Sequence, residues 1–287
     1  MSDSFSPFRR VQVVRVGRRG EGPADDVAAT EEPLEIRLHG KPFAVIMRTP
    51  GSDRELAAGF LLSEQVIRSA DDLGAVEHCR HPDHPNVHNV VDVYLIGDAA
   101  STIAGHLEER RNITTSSSCG LCGRVTIESL RSNAMPLPVG DRIQAKVASG
   151  LPESLRGRQA VFDETGGLHA AGLFTFDGQC RHSAEDVGRH NAVDKVIGAM
   201  LFENRVPLSD HALAVSGRTS FEIIQKAWFA GIPVVCAVSA PSSLAIELAH
   251  EAGITLLGFV RDGGFNLYTH AERLIPNPSS LIPNPEP

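Results

Sequence analysis

The sequence predicts an α/β protein: a layered domain with a mixed sheet, preceded by a small antiparallel, β-rich N-terminal unit. Three observations lead there. Between residues 190 and 260, apolar runs of strand length alternate with amphipathic runs of helix length, the pattern of a layered domain with a partly parallel sheet. Before residue 105, short alternating runs separated by turn residues surround one amphipathic helix. A chain of 287 residues with 42% hydrophobic side chains can also bury one large core or two moderate ones.

In chain order, residues 1–10 read as disordered and 11–16 as a strand. Residues 17–32 read as a polar loop. Strands at 34–38 and 42–47 flank His39-Gly40 as a hairpin. Asp53 is expected to cap a helix over 54–64, with Leu56, Phe60 and Leu61 on one face. Residues 89–96 alternate as a strand.

The second half changes style. A helix over 151–164 is stopped by Gly166-Gly167. Strands at 168–176 and 180–184 turn around Asp177-Gly178, and 190–203 is helical. Strands at 212–215, 233–239 and 255–260 then alternate with helices at 220–230 and 242–252, and 265–269 reads as a last strand. The expected organisation is a β-rich unit at 11–104, a mobile loop at 105–124, an α/β domain at 125–270 and a disordered tail at 271–287, where LIPNP occurs twice.

The net charge of −8 argues against broad binding to nucleic acid or to an anionic membrane. The first residues lack the cationic start and apolar core of a signal peptide, and no apolar run reaches spanning length. Five cysteines in a chain this long do not make a disulfide framework. The expectation is a cytoplasmic protein whose cysteines serve chemistry rather than crosslinking.

Cys119-Gly120-Leu121-Cys122 is the first candidate for that chemistry. Three serines precede it, Gly123-Arg124 follow, and the surroundings are polar. A thiol beside a cation and a helix start loses its proton more easily, and the thiolate is the reactive form. The pair can serve as half a zinc site, as a dithiol–disulfide couple or as a persulfide carrier, and spacing alone leaves these open. No second CxxC completes a zinc site, so no metal is expected. His78, Cys79, His81, His84 and His88 form a histidine-rich stretch that reads either as a metal binder or as a plain surface loop. His169-Ala170-Ala171 lacks the glutamate of the zinc deaminase pattern, which argues against deamination.

Three further segments suit an anion. Arg189 and His190 open a helix, where backbone N–H groups are free. Arg218 lies in Ser216-Gly217-Arg218-Thr219-Ser220, between a strand and a helix. Phe259, Val260, Arg261, Asp262, Gly263 and Gly264 follow the last buried strand, and the glycines permit close approach of a ligand to the backbone. The plain alternatives are elaborate helix caps for the first two and a simple hairpin turn for the third.

The stretches SSSCGLCGR, TGGLHAAG, AEDVGRHNAVDKVIG, SGRTSFEIIQKA and GFVRDGGFNLYTH together resemble the formate dehydrogenase accessory sulfurtransferases, the FdhD family. The likeness runs from about residue 34 to residue 270. It implies a cytidine-deaminase-like layered domain without the deaminase zinc. It implies a cytoplasmic, homodimeric sulfur carrier that takes sulfur from a cysteine desulfurase. The sulfur passes to the molybdenum bis(molybdopterin guanine dinucleotide) cofactor of formate dehydrogenase. By position, Cys119 would bear the persulfide, Cys122 would be its partner, and Phe259 to Gly264 would contact the cofactor, whose ends resemble GDP. A CxxC dithiol oxidoreductase and a non-enzymatic cofactor-binding chaperone are the alternatives.

Overall fold

The structure, a computed structural model, describes residues 6–17, 20–79, 87–111 and 135–276. It opens with an antiparallel ribbon, β1 (Phe8–Arg15) against β2 (Gly22–Ala29). β2 lies inside the stretch expected as a loop. Its sequence, GPADDVAA, carries no alternating apolar signal, and pairing with β1 defines it instead.

β3 (Glu32–Leu38) and β4 (Lys41–Arg48) form the expected hairpin. Then come α1 (Asp53–Ser63), β5 (Leu73–His78) and β6 (Val90–Leu95). The sheet order is β4-β3-β6-β5, with β3 parallel to β6, so this sheet is mixed while the ribbon before it is antiparallel. Asp53 does not cap α1. Ser52 holds the capping position, and the Asp53 carboxylate takes both prongs of buried Arg48, at 2.9 and 2.8 Å. Packing around Arg48 outcompetes the local cap because a buried guanidinium without a carboxylate is costly.

α2 (Gly97–Arg111) packs against β6 and includes residues 105–111, expected as the start of the mobile loop. Its polar sequence shows only a thin apolar stripe, of which Ala99 and Leu107 are buried. The expected helix over 151–164 is two helices, α3 (Ala145–Arg156) and α4 (Ala160–Thr165), after a short β7 (Ile143–Gln144). Pro152, which reads as a helix start, sits inside α3.

The rest follows the expected order: β8 (His169–Thr175), β9 (Cys180–Asp186), α5 (Arg189–Phe202), β10 (His211–Val215), α6 (Phe221–Phe229), β11 (Val234–Ala237), α7 (Ser243–Glu251), β12 (Thr255–Arg261) and β13 (Gly264–Thr269). These strands form one sheet in the order β13-β12-β11-β10-β8-β9. Its centre, β10-β11-β12, is parallel and its flanks are antiparallel. The tail is not free at its start. β14 (Leu274–Ile275) pairs with β7, and buried Arg273 donates to the carbonyls of Gly253, Leu137 and Pro138.

The central sheet is covered on both faces. On β10, Ala212 and Ala214 face α3, whereas Leu213 and Val215 face the opposite core. That second core runs without a break from Leu34 and Ile36 on β3 through Leu56 and Leu61 on α1 to Val196 and Ile197 on α5. The β-rich unit and the α/β unit therefore share one interior.

They meet where α1 crosses α5. A Cβ at Gly59 would lie 2.0 Å from the Asp194 carbonyl oxygen, and one at Gly198 would lie 1.8 Å from that of Glu55. Both obstacles are backbone, so neither can swing aside. Gly198→Ala is expected to cost about 3 kcal/mol through overpacking. Exposed Gly150 in α3 has open space around its Cβ position. Gly150→Ala is expected to add about 0.5–1 kcal/mol through helix propensity. Thermal melts of the two variants should move in opposite directions.

Candidate functional site

The sheet topology gathers the sequence-picked segments on one edge. Loops leaving the parallel strands β10, β11 and β12 emerge together at their carboxyl ends. β8 runs antiparallel to β10, so its first residue, His169, lies at the same edge, paired with Asp186 at the end of β9. α5 begins just beyond, at Arg189.

Asp186 is fully buried and fixes this corner. One carboxylate oxygen accepts from Gly188 N–H and from Asn191 Nδ2, each at 2.8 Å. The other accepts from Thr49 N–H at 3.1 Å and pairs with Lys195 Nζ at 2.8 Å. Lys195 also donates to the Thr49 carbonyl at 2.9 Å, and Val187 N–H donates to Thr49 Oγ1 at 3.1 Å. The loop after β4 is thereby bonded to the start of α5. Asp186, Asn191 and Lys195 belong to the predicted helix-start motif, and all three are structural.

His190 faces the loop before α6. Its Nε2 lies 3.0 Å from Ser220 Oγ and 3.3 Å from Glu222 Oε2. Ser220 donates to Glu222 at 2.6 Å, which leaves its oxygen to accept from His190 Nε2–H. Ser220 reads in the sequence as a cap for α6, yet its hydroxyl makes no cap bond because this exchange occupies it. Burial alone would raise the Glu222 carboxyl, but the bonds from His190 and Ser220 outweigh it and hold the group at about 2.

His169 behaves differently. Burial holds its imidazole below the usual value, and the nearby charges of Arg189 and His190 push the same way. Gly217 borders it, since a Cβ there would come within 3.4 Å of His169 Nδ1. Ser216 locks this loop to β8 by donating its N–H to the Ala170 carbonyl while its hydroxyl accepts from Ala170 N–H at 2.8 Å. In the sequence His169 stands out inside TGGLHAAG and in the unmet zinc deaminase pattern, and no spacing rule connects it to Arg189.

Backbone bonds join the remaining loops. Thr219 N–H donates to the Ala240 carbonyl, Ser242 N–H to that of Thr219, and Phe259 N–H to that of Ser239. The loop of exposed Arg218 is thus continuous with the Phe259 segment. Phe259 is exposed and held at φ 53°, in a bulge where the β12–β13 register shifts. Val260 is buried in the α3-side core, so only its backbone can face a ligand. Arg261, Asp262, Gly263 and Gly264 are exposed. Asp262 and Gly263, both at positive φ, form the two-residue turn between the paired Arg261 and Gly264.

Cys119 and Cys122 lie outside the described residues, as do His81 and His84. His78 Nε2 stands 4.0 Å from Asp53 Oδ2. Among the described residues, no group of three or more His, Cys, Asp and Glu side chains is gathered as metal ligands would be.

Residues 29–275 match the sequence model of the FdhD/NarQ family. The chain belongs to that family. It is 50% identical over 269 residues to the sulfur carrier protein FdhD of Nocardia farcinica, covering 92% of this chain and 94% of that one. It is 51% identical over 263 residues to the protein of the same name in Anaeromyxobacter dehalogenans strain 2CP-C, covering 89% and 91%. The Sulfurisphaera tokodaii protein of that name is 44% identical over 270 residues, covering 93% and 99%. A solved structure from Desulfotalea psychrophila, described as a formate dehydrogenase accessory protein, shares the fold with a TM-score of 0.75 at 24% identity, over 94% of this chain and 100% of that one. The matched range includes the edge formed by His169, Arg189, His190 and the Arg218 loop.

The Glu222 carboxylate gives this edge a pH signature. A carboxyl whose folded pKa is lowered adds stability above its unfolded pKa and loses it as pH falls toward the folded one. The window runs from 4.5 down to about 2. Between pH 5 and pH 3, wild type is expected to lose about 1 kcal/mol more than Glu222→Gln, as read by urea melts.

Proposed function

We propose that this chain is a sulfur carrier that serves the maturation of formate dehydrogenase. The observation that carries this reading is the 50% identity, over nearly the full chain, to a protein named as a sulfur carrier. The CxxC at 119–122 is the sulfur chemistry such a role needs. In this reading Cys119 thiolate attacks the terminal sulfur of a cysteine desulfurase persulfide. The donor S–S bond breaks, the desulfurase thiolate leaves, and Cys119 holds the sulfane sulfur. Cys122 then attacks the inner sulfur. Hydrosulfide departs toward the molybdenum bis(molybdopterin guanine dinucleotide) substrate, and a Cys119–Cys122 disulfide remains for a cellular dithiol to reduce.

The carbonyl-end edge of the sheet is the proposed seat of that substrate's guanine nucleotide ends, which are GDP-like. Arg189, Arg218 and Arg261 supply cations there beside His190, and Phe259 to Gly264 supply an exposed turn. The working form is read as a cytoplasmic homodimer. No helix among the described residues is long and apolar enough to cross a membrane.

Incubation with a cysteine desulfurase and cysteine is expected to add one sulfur to wild type and none to Cys119→Ala. Cys119→Ala is also expected to abolish formate dehydrogenase maturation, and Cys122→Ala to impair it less. Full maturation by Cys119→Ala would overturn the carrier role. Sulfur-free cycling between dithiol and disulfide would favour an oxidoreductase. In calorimetry with GDP, Arg218→Ala and Arg261→Ala are each expected to bind about ten- to a hundredfold more weakly, the worth of one charge-assisted contact. Binding equal to wild type would remove these cations from the pocket.

A further inference from the structure

The cations at the sheet edge are not equivalent. Asp186 is matched by Lys195, and Glu222 is matched by His190 and Ser220. Glu185 accepts the first N–H groups of α4, from Val161 and Phe162. These three carboxylates are therefore committed. Arg189 has no carboxylate and no hydrogen-bond partner among the described residues, and its Nε is buried and unsatisfied. It stands at the first position of α5, a helix of 14 residues. The opening turn of a helix leaves N–H groups without intrahelical partners, and Gly188 at the cap has no side chain to cover them.

A second orphan lies on the neighbouring loop. Thr219 is 1% exposed, and its Oγ1 has no partner. Its backbone is held on both sides by the loop after β11, so the hydroxyl is presented on a fixed frame. The adjoining Ser220 is bonded to His190, which brings the Thr219 loop against the start of α5. A buried donor left unpaired costs free energy unless a ligand completes it. Two such groups, Arg189 Nε and Thr219 Oγ1, stand on segments that the His190–Ser220 bond joins, beside a helix start with no side-chain cap. His169 also borders this corner, where burial and the Arg189 charge hold its imidazole below its usual value.

We infer that the start of α5, with Arg189 and Thr219, holds the diphosphate of the bound guanine nucleotide, leaving the exposed Phe259–Gly264 turn to the rest of the ligand. This rests on the nucleotide reading given above. It assigns His190 a positioning role, since its Nε2 is occupied by Ser220 and Glu222.

Calorimetry on the full chain with GDP, guanosine and inorganic pyrophosphate tests it. Wild type is expected to bind GDP at least about tenfold more tightly than guanosine, and Arg189→Gln to lose at least about tenfold for GDP and for pyrophosphate with guanosine unchanged. Thr219→Val, which keeps the shape and removes the hydroxyl, is expected to lose about threefold for both anions. Among the described residues the Arg189 side chain makes no bond, so the melting temperature of Arg189→Gln should match wild type, and Thr219→Val stands as an independent readout. If wild type binds neither GDP nor guanosine, the nucleotide reading itself falls. If wild type binds both equally, or Arg189→Gln keeps the wild-type preference for GDP over guanosine, the nucleotide reading stands and this placement of the diphosphate is overturned.

Discussion

The crossing of α1 over α5 is the contact on which the rest of the molecule depends. Gly59 and Gly198 let the two backbones touch, and no side chain intervenes. Helices this close need their polar groups arranged around the contact. Asp194, at the crossing, is buried and takes both oxygens' worth of Lys226 at 2.8 Å, with Ser63 of α1 donating at 2.8 Å. Burial pushes the Asp194 carboxyl up, and the Lys226 ammonium pulls against it. The pair ties α1, α5 and α6 at one point. Breaking one partner would leave a buried charge, which is why such ties specify an arrangement more than they stabilise it.

From that point the sheet edge inherits its geometry. α5 is clamped along its length by α1, and its first turn is clamped by Asp186, Lys195 and Thr49. These bonds come from the loop after β4, in the N-terminal unit. The β-rich part of the chain therefore serves the α/β part as a brace for one helix start. His190 and the loop before α6 are then fixed relative to each other through Ser220 and Glu222.

Charge is distributed to the same end. The chain carries eight net negative charges, yet Arg189 at the edge has no carboxylate partner among the described residues. Glu185, Asp186 and Glu222 near the edge are spent on structural bonds, which leaves fewer free negative charges beside the cations there. Phe259, held at positive φ in a bulge, adds an exposed aromatic face to the same edge, and backbone strain of this kind persists only where its surroundings over-determine it.

The sequence by itself determined the alternation of strands and helices from β8 to β13, the β3–β4 hairpin and α1, because each is written in local periodicity or turn chemistry. It also determined the family, through stretches that only their order and combination make specific. The β2 strand, the length of α2, the break between α3 and α4 and the anchoring of Arg273 were not legible. Two of these are decided by pairing that local pattern does not show: the preceding strand β1 for β2, and, distant in the chain, the carbonyls of Leu137 and Pro138 for Arg273. The site divides the same way. Residue types marked Arg189, His190 and Arg218 as candidates. Only tertiary structure decided that His190 is bonded to Ser220 and Glu222 while Arg189 has no carboxylate partner among the described residues, because which charge finds a partner depends on distances across elements, and a one-dimensional pattern does not contain them.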